Sequence, residues 1–328
     1  MTAKFSTRVN EILGVEYPII MGTMGPQSDA EFVAAAANAG IFACLSSILS
    51  RTSGELREAI RKTKSLTDKP FGVNINLFPM VSPIPIEEYT EASIEEGVPV
   101  IETSGRNPEA LAERIKKAGV TLVHKCIGVR HARTAERLGA DIIEVVGYEA
   151  AGHPGRDPIG SMALIPQVAD AVKVPVVAGG GIGDARGVVA ALALGAEGVV
   201  MGTVFVATQE CPIPLELKQK LVEAKETDTM LAFRTKSDPL RALNNPLTQR
   251  ILEMEEQGAS LEDLKALIEG REGRPAGAVE EADWSLLSVG QVVGRVHDIP
   301  TIKELVERIV WEVEAVQERL NRALGGKD

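Results

Sequence analysis

The chain has 328 residues, a mean hydropathy of +0.04 and a formal net charge of −11 at pH 7. This length is enough for one large domain with a buried core, and the composition is that of an ordinary globular protein. The negative charge argues against nucleic acid and anionic membranes as partners, because its long-range field repels both, although a local pocket can still hold a phosphate.

Apolar runs of strand length alternate with helix-length segments over the first two thirds of the chain. Runs rich in β-branched residues are typical of buried parallel strands, and a glycine just after a helix is a common stop signal. The predicted strands comprise residues 18–24, 42–47, 71–78, 98–103, 121–126, 141–146, 174–178 and 198–201. Predicted helices between them comprise residues 29–39, 54–63, 87–96, 108–118 and 129–138, and a further helix starts at the N-cap Asp184 and ends at Leu194.

Eight such units predict an α/β fold, a closed (β/α)8 TIM barrel. An open, doubly wound sheet is the alternative, but its dinucleotide fingerprint places glycines after the first strand, whereas the glycine-rich loop here comes late. We expect residues 1–208 and 284–328 to form the barrel, with 284–294 returning to its mouth and 302–324 forming a final helix. The charged segment 209–283 is predicted to be a helical insert that covers the site, although simple decoration of the barrel is equally compatible.

Glycine-rich loops follow the seventh and eighth predicted strands. Gly180 and Gly181 lie in the first loop, and Gly202 and Thr203 form the second. Backbone amides that no side chain blocks can close on a phosphate, and a TIM barrel builds its phosphate site after its last two strands. A βα turn without a ligand is the alternative interpretation.

Three polar features end other strands, where a TIM barrel places its catalytic groups. His153 lies between glycines after the sixth strand and is either a catalytic group or a loop histidine bonded to backbone. Of the neighbours His124 and Lys125, at most one points into the mouth, because adjacent strand residues face opposite ways. Asn74 and Asn76 lie two positions apart and therefore share a face of the strand. Asparagines inside a barrel need hydrogen-bond partners, which either a ligand or a structural hydrogen-bond network would supply.

Cysteine spacing and the first residues indicate a cytoplasmic protein. Cys44, Cys126 and Cys211 are scattered and form no C-x-x-C pair, so neither a disulfide framework nor a metal site is expected. Residues 1–11 lack the apolar core of a signal peptide, and no apolar run is long enough to span a bilayer.

Longer segments carry a more specific pattern. The segments H-K-C-I-G-V-R-H-A-R-T-A-E-R-L-G-A-D, G-Y-E-A-A-G-H-P-G and A-G-G-G-I-G-D-A-R-G resemble the nitronate monooxygenase family, and more closely its bacterial NADH:quinone reductase branch. The resemblance covers nearly the whole chain. It implies a TIM barrel, non-covalently bound FMN and an extra helical domain over the flavin, and flavin-type enoyl reductases are relatives of this family.

The resemblance also implies roles for particular residues. The FMN phosphate would lie on the two glycine-rich loops, Lys125 near the pyrimidine edge of the flavin, and His153 opposite the substrate. Relatives often carry a Q-G-G-M turn after the first strand, whereas this chain has M-G-T-M, which alters the surroundings of the ring. The complete set of implied cofactor-binding residues is Gly22, Thr23, Met24, Asn74, Lys125, Gly152, Gly180, Gly181, Gly202, Thr203, Ser288 and Gln291.

The expected activity is an FMN-dependent transfer of hydride from NADH or NADPH to a quinone or another conjugated acceptor. The proline-rich loop 79–85 and the insert would help to hold the nicotinamide nucleotide. Nitronate monooxygenation, enoyl reduction and non-enzymatic flavin or phosphate binding are the alternatives. The partners implied are small molecules, namely a quinone, an enone or a nitronate. A homodimer is a possible assembly.

Overall fold

The computed structural model describes residues 5–78, 85–234, 238–268 and 285–325. Eight parallel strands form a closed barrel in sequence order, and the pairing of Ile20 with Val200 and Met21 with Met201 closes it. This confirms the predicted TIM barrel. The barrel strands are β1 Ile19–Met21, β2 Phe42–Ser46, β3 Gly72–Asn76, β4 Val100–Ser104, β5 Thr121–Cys126, β6 Ile142–Val146, β7 Val176–Gly179 and β8 Gly198–Met201.

Helices surround the barrel, and their ends follow from local sequence. Asp29, Thr52 and Asp184 accept hydrogen bonds from first-turn amides, as N-caps do. Glycines with φ between 67° and 95° follow eight of the described helices, as expected for a left-handed helix stop. The helices are α1 Arg8–Leu13, α2 Ala30–Asn38, α3 Ser53–Leu66, α4 Ile86–Glu95, α5 Glu109–Lys117, α6 Val129–Arg137, α7 Ser161–Ala169, α8 Ala185–Ala193, α9 Thr203–Val206, α10 Leu215–Glu223, α11 Pro246–Glu256, α12 Leu261–Ile268 and α13 Ile302–Ala323.

Two apolar layers form the core, one inside the barrel and one between the barrel and its helices. Alternate strand residues face these two layers, because successive side chains in a strand point to opposite faces. Val9 and Leu13 of α1 pack against the interior layer. The interior layer comprises Ile20, Phe42, Cys44, Val100, Val123, Ile142, Val177 and Val200.

The segment after β8 contains helices, as predicted for residues 209–283, but they are not its whole regular structure. It also contains an antiparallel pair, β9 Thr229–Ala232 and β10 Leu240–Leu243, which packs with α11 and α12 around a small core of its own. Each of these strands has only four residues, too few for periodicity to separate strand from helix. The predicted boundary at 283/284 lies outside the described residues, as do residues 79–84 of the proline-rich loop.

The structure also contains a helix that the sequence analysis missed. Helix α7 lies between β6 and β7, and Pro166 sits inside it. A proline at that position normally indicates a break, but the buried Leu164, Ile165 and Val168 hold the helix against the barrel. Within the described ranges, no helix has the length and apolar character needed to cross a membrane.

Candidate functional site

The carboxyl ends of the eight strands, with the loops that follow them, form one end of the barrel, here called the mouth. All of the site residues that the sequence predicts belong to this end of the barrel or to the late segment 285–295 that packs against it. They come from the ends of β1, β3, β5, β6, β7 and β8, so barrel closure brings together positions far apart in the chain.

Above the apolar interior layer, the barrel encloses four polar side chains, here called the polar layer: Asn74, Glu102, Lys125 and Glu144. Lys125 Nζ lies 3.1 Å from Glu102 Oε1 and 3.2 Å from Glu144 Oε2. The carboxylates are buried, with Glu102 1% and Glu144 0% exposed, whereas the Lys125 side chain is 22% exposed. Lys125 is thus the cationic member of the layer and has solvent access.

The neighbouring histidine faces the other way, as strand alternation requires. His124 is buried, and its Nδ1 lies 2.9 Å from Thr103 Oγ1. Burial lowers the pKa of His124 to about 4, so the ring is neutral at physiological pH. The lysine therefore belongs to the mouth, and the histidine belongs to the layer between barrel and helices.

The two carboxylates of the polar layer have unlike surroundings. Glu102 accepts hydrogen bonds from Asn74 Nδ2 at 2.6 Å and from Thr23 Oγ1 at 3.2 Å. Apart from the ion pair with Lys125, neither oxygen of Glu144 has a hydrogen-bond partner within the described part of the chain. Burial raises the pKa of Glu144 to about 7, with the charge of Glu102 adding to the rise and Lys125 opposing it. Burial alone would lower the pKa of Lys125, but the two carboxylates raise it above its ordinary value.

Sequence reasoning missed both carboxylates. Each is the only charged residue in an otherwise apolar or small-residue strand, V-I-E-T-S for Glu102 and I-I-E-V-V for Glu144. A charged side chain is rarely buried without a partner, so this pattern was a usable signal. The partner could not be read from the sequence alone, because Lys125 meets both carboxylates only through the pairing of β5 with β4 and β6.

The glycine loop after β7 is shaped largely by its packing against the loop after β6. Gly180 has a φ of 91°, and a Cβ there would lie 2.7 Å from Ser161 Oγ and 2.9 Å from the Gly147 nitrogen. Ser161 N donates to the Glu149 carboxylate at 3.0 Å, which satisfies the amino end of α7. Glycine is thus required at Gly180 by the protein itself, whether or not a ligand binds.

The second loop, after β8, is open. No heavy atom lies within 4 Å of the position that a Cβ on Gly202 would occupy. Helix α9 begins at Thr203, and the amides of Phe205 and Val206 donate to the Gly202 carbonyl, which leaves those of Thr203 and Val204 for an anion. Thr203 Oγ1 accepts a hydrogen bond from Gly290 N at 2.9 Å. The open space and the free amides fit a phosphate better here than at Gly180.

The late segment 285–295 lies against the loops of the mouth. Besides the bond from Gly290, Gln291 N donates to the Glu149 carbonyl at 2.9 Å, and Arg295 pairs with Asp184 at 3.2 Å. Ser288 is half-buried and Gln291 is exposed. This segment therefore ties together the loops that follow β6, β7 and β8.

The loop after β6 carries His153, which is exposed. Its Nδ1 lies 3.1 Å from the Pro239 carbonyl, and its ring centroid lies 5.0 Å from that of Phe78. A carbonyl oxygen can only accept, so Nδ1 donates and the neutral ring keeps its lone pair on Nε2. The neighbouring Gly152 pairs through its backbone with Arg241 of β10. The insert therefore holds the loop that carries His153.

Arg241 itself is a buried cation that sequence reasoning missed. Its Nη2 donates to the Tyr148 carbonyl at 3.1 Å, its Nη1 donates to Thr229 Oγ1 at 3.2 Å, and the guanidinium lies 5.4 Å from the centroid of the Tyr148 ring. Burial lowers the pKa of Arg241. No cluster of three or more metal-ligating side chains occurs among residues 5–78, 85–234, 238–268 and 285–325.

Comparison with known proteins identifies the family. The nitronate monooxygenase family profile matches residues 6–312. A (3aS,4S,5R,7aS)-5-hydroxy-7a-methyl-1-oxo-octahydro-1H-indene-4-carboxyl-CoA dehydrogenase of Rhodococcus jostii strain RHA1 is 33% identical, covering 93% of this chain and 94% of the relative. A probable nitronate monooxygenase of Staphylococcus haemolyticus is 30% identical, covering 95% and 98%. The structure of FabK from Thermotoga maritima matches with a TM-score of 0.86 at 33% identity, covering 98% of this chain and 100% of FabK. The chain therefore belongs to the nitronate monooxygenase family of flavin-dependent oxidoreductases.

Proposed function

We propose that this protein binds FMN and transfers a hydride equivalent from NADH or NADPH to a conjugated acceptor, a quinone or an enone. The membership in a flavin-dependent family supports the cofactor. The 33% identical relative from Rhodococcus jostii is named a dehydrogenase of a CoA thioester, which supports a carbon-centred redox substrate. Bound FMN would supply a two-electron carrier between the two substrates.

The residues at the mouth fit FMN. Gly202 and the first amides of α9 offer open space and unpaired donors for the phosphate. Thr23, Asn74 and Lys125 are linked through Glu102 into one hydrogen-bonded group at the ends of three strands, where an aromatic ring with polar edges would find donors. Gly22, Met24, Gly152, Gly180, Gly181, Thr203, Ser288 and Gln291 complete the proposed set of contacts.

One observation favours substrate chemistry at this mouth: His153 is exposed, and its Nδ1 is fixed on the Pro239 carbonyl. This bond leaves Nε2 available to a substrate. The protonated ring donates from Nε2 and can stabilise the oxygen of a quinone or enone as negative charge develops on it. General acid help of this kind contributes about 10²–10⁴-fold to a rate.

The insert would fix the position of the His153 ring. The backbone pair between Gly152 and Arg241, at 2.6 and 3.1 Å, fixes one end of the loop, and the bond from Arg241 to the Tyr148 carbonyl fixes the other. Residues of the insert and the proline-rich loop are also the proposed site of the nicotinamide nucleotide.

Nitronate oxidation is the second candidate, and a specific observation favours it. The neutral ring of His153 keeps a lone pair on Nε2, which can accept a proton from a nitroalkane or orient its anion. The 30% identical relative from Staphylococcus haemolyticus is named a probable nitronate monooxygenase. In that reaction oxygen would replace the conjugated acceptor, and no nicotinamide would be needed.

Anaerobic stopped-flow spectroscopy separates the two candidates. The purified, FMN-loaded protein is mixed with NADH, with NADPH or with an alkyl nitronate, and the flavin absorbance is followed. The proposal expects a nicotinamide nucleotide to bleach the flavin. Bleaching by the nitronate alone would select the second candidate and reject the first. Protein that binds FMN but is bleached by none of these compounds would contradict both.

A further inference from the structure

The polar layer contains two buried carboxylates but a single cation, the partly buried Lys125. Glu102 and Glu144 both lie within 3.2 Å of Lys125 Nζ. If both carboxylates were ionised, the layer would hold an uncompensated negative charge in the barrel interior. Burial of an unpaired charge is so costly that the group usually takes up or releases a proton instead.

Hydrogen bonding decides which carboxylate is neutral. Glu102 has Asn74 and Thr23 as donors besides the lysine, and such donors stabilise the ionised form. Glu144 has the ion-pair contact with Lys125 and no hydrogen bond from any described residue. When two carboxylates share one site, the one with fewer donors holds the proton.

We propose that Glu144 holds a proton on the acidic side of neutral pH and releases it on the basic side while Glu102 balances Lys125, so that this single proton sets the net charge of the polar layer. With the proton in place the layer is neutral, and without it the layer carries one negative charge. Lys125 is partly exposed to the mouth, so a bound ligand would sense the difference. The protonation claim does not depend on the proposed function.

No other described group around Glu144 supplies a positive charge that would compensate a second ionised carboxylate. Strand β2 contributes Cys44 and strand β5 contributes Cys126, besides Lys125. Burial raises the pKa of Cys44 well above its ordinary value and that of Cys126 to about 12, so both thiols stay neutral. The interior positions of the remaining barrel strands are not titratable; they include Ile20, Asn74, Val177, Gly179 and Val200.

Thermodynamic linkage gives the sign of the test. The pKa of Glu144 is raised in the folded state, so the folded protein binds the proton more tightly than the unfolded chain. The resulting stability is fully present below the unfolded pKa, falls as pH rises and is lost once pH passes the folded pKa. A rise from the ordinary 4.5 to about 7 changes the unfolding equilibrium constant on the order of a hundredfold.

The experiment is urea unfolding of the protein as purified at several values between about pH 5 and 8, for wild type and Glu144→Gln, with the content of any bound cofactor matched between the two. Glutamine has the shape of the neutral acid but binds no proton. We expect wild type to lose stability relative to Glu144→Gln as pH rises over this range. Parallel profiles, or a wild type that gains relative stability with pH, would overturn the proposal. Glu144→Met provides the same comparison if the glutamine variant does not fold.

Glu102→Gln is the matched control. It removes the ionised partner of Lys125, and we expect Glu144 to ionise in its place, so the profile of this variant should lack the loss seen for wild type. A Glu102→Gln profile that falls with pH as wild type does would mean that Glu102 does not hold the charge, and it would overturn the assignment.

The reduction potential of bound FMN tests whether the proton is sensed at the mouth; this part rests on the proposed function. The potentials of wild type and Glu144→Gln are compared at about pH 6 and pH 8, so that the intrinsic pH dependence of the flavin cancels. We expect the two potentials to agree at the lower pH and the variant to be higher at the upper pH. Equal potentials at both values would overturn the claim for the cofactor and leave the unfolding result as a separate test of the proton.

Discussion

Substitution of Gly202 by aspartate tests the proposed phosphate position directly. A Cβ at this position meets no heavy atom within 4 Å, and the φ of −114° is accessible to L-residues, so we expect the barrel to fold normally. Two like charges ~4 Å apart repel by roughly 4 kcal/mol at an effective dielectric constant of about 20. This repulsion should raise the FMN dissociation constant of Gly202→Asp on the order of a thousandfold above that of wild type.

The control is Gly202→Asn, which adds the same shape without the charge. FMN dissociation constants are measured by titrating each apoprotein and following flavin fluorescence. We expect Gly202→Asn to bind within about tenfold of wild type and Gly202→Asp to bind far more weakly. If the two variants bind FMN equally well, the phosphate lies elsewhere. Gly180 would be a poorer test, because its Cβ would collide with Ser161 Oγ and the Gly147 nitrogen.

Three further predictions concern the polar layer and the His153 loop. His153→Ala should slow reoxidation by the acceptor by about 10²–10⁴-fold while NADH bleaching in the stopped-flow is unchanged, and the reverse pattern would assign the residue to the nucleotide site. Lys125→Met should lower the potential of bound FMN on the order of tens of millivolts in a redox titration, because a cation is lost from the mouth; an unchanged or higher potential with FMN retained would refute its placement. Arg241→Leu leaves the Tyr148 carbonyl unpaired and should lower the free energy of unfolding in urea by about 1–3 kcal/mol. It should also slow reoxidation of the flavin by the acceptor more than bleaching of the flavin by NADH. Equal slowing of both half-reactions would contradict a positioning role for Arg241.

The barrel could be predicted because each unit repeats the same local signals. Parallel strands covered on both faces read as continuous apolar runs, and a glycine such as Gly119 or Gly195 marks the end of a helix by its left-handed backbone. Helix α7 was missed because Pro166 is a strong local signal that tertiary packing overrides. The β9–β10 pair was missed because its pairing is too short to impose a pattern on the sequence.

The functional site likewise has features that could be predicted from the sequence and features that could not. His153 and the two glycine loops could be placed at the mouth because position at a strand end is a local property. The surroundings of Lys125 could not be predicted, since its two carboxylates come from the strands on either side and neither is near it in sequence. Strand alternation did limit His124 and Lys125 to one inward residue, but only the register between β4, β5 and β6 identifies the lysine as that residue.

A double-mixing stopped-flow experiment tests the proposed function most directly. The FMN-loaded protein is first reduced anaerobically with one equivalent of NADH or NADPH and is then mixed with a quinone, an enone or oxygenated buffer. The account predicts that the flavin is bleached in the first step and that the quinone or enone restores its absorbance faster than oxygen does. A flavin that neither nucleotide reduces, or that only oxygen reoxidises, would contradict it.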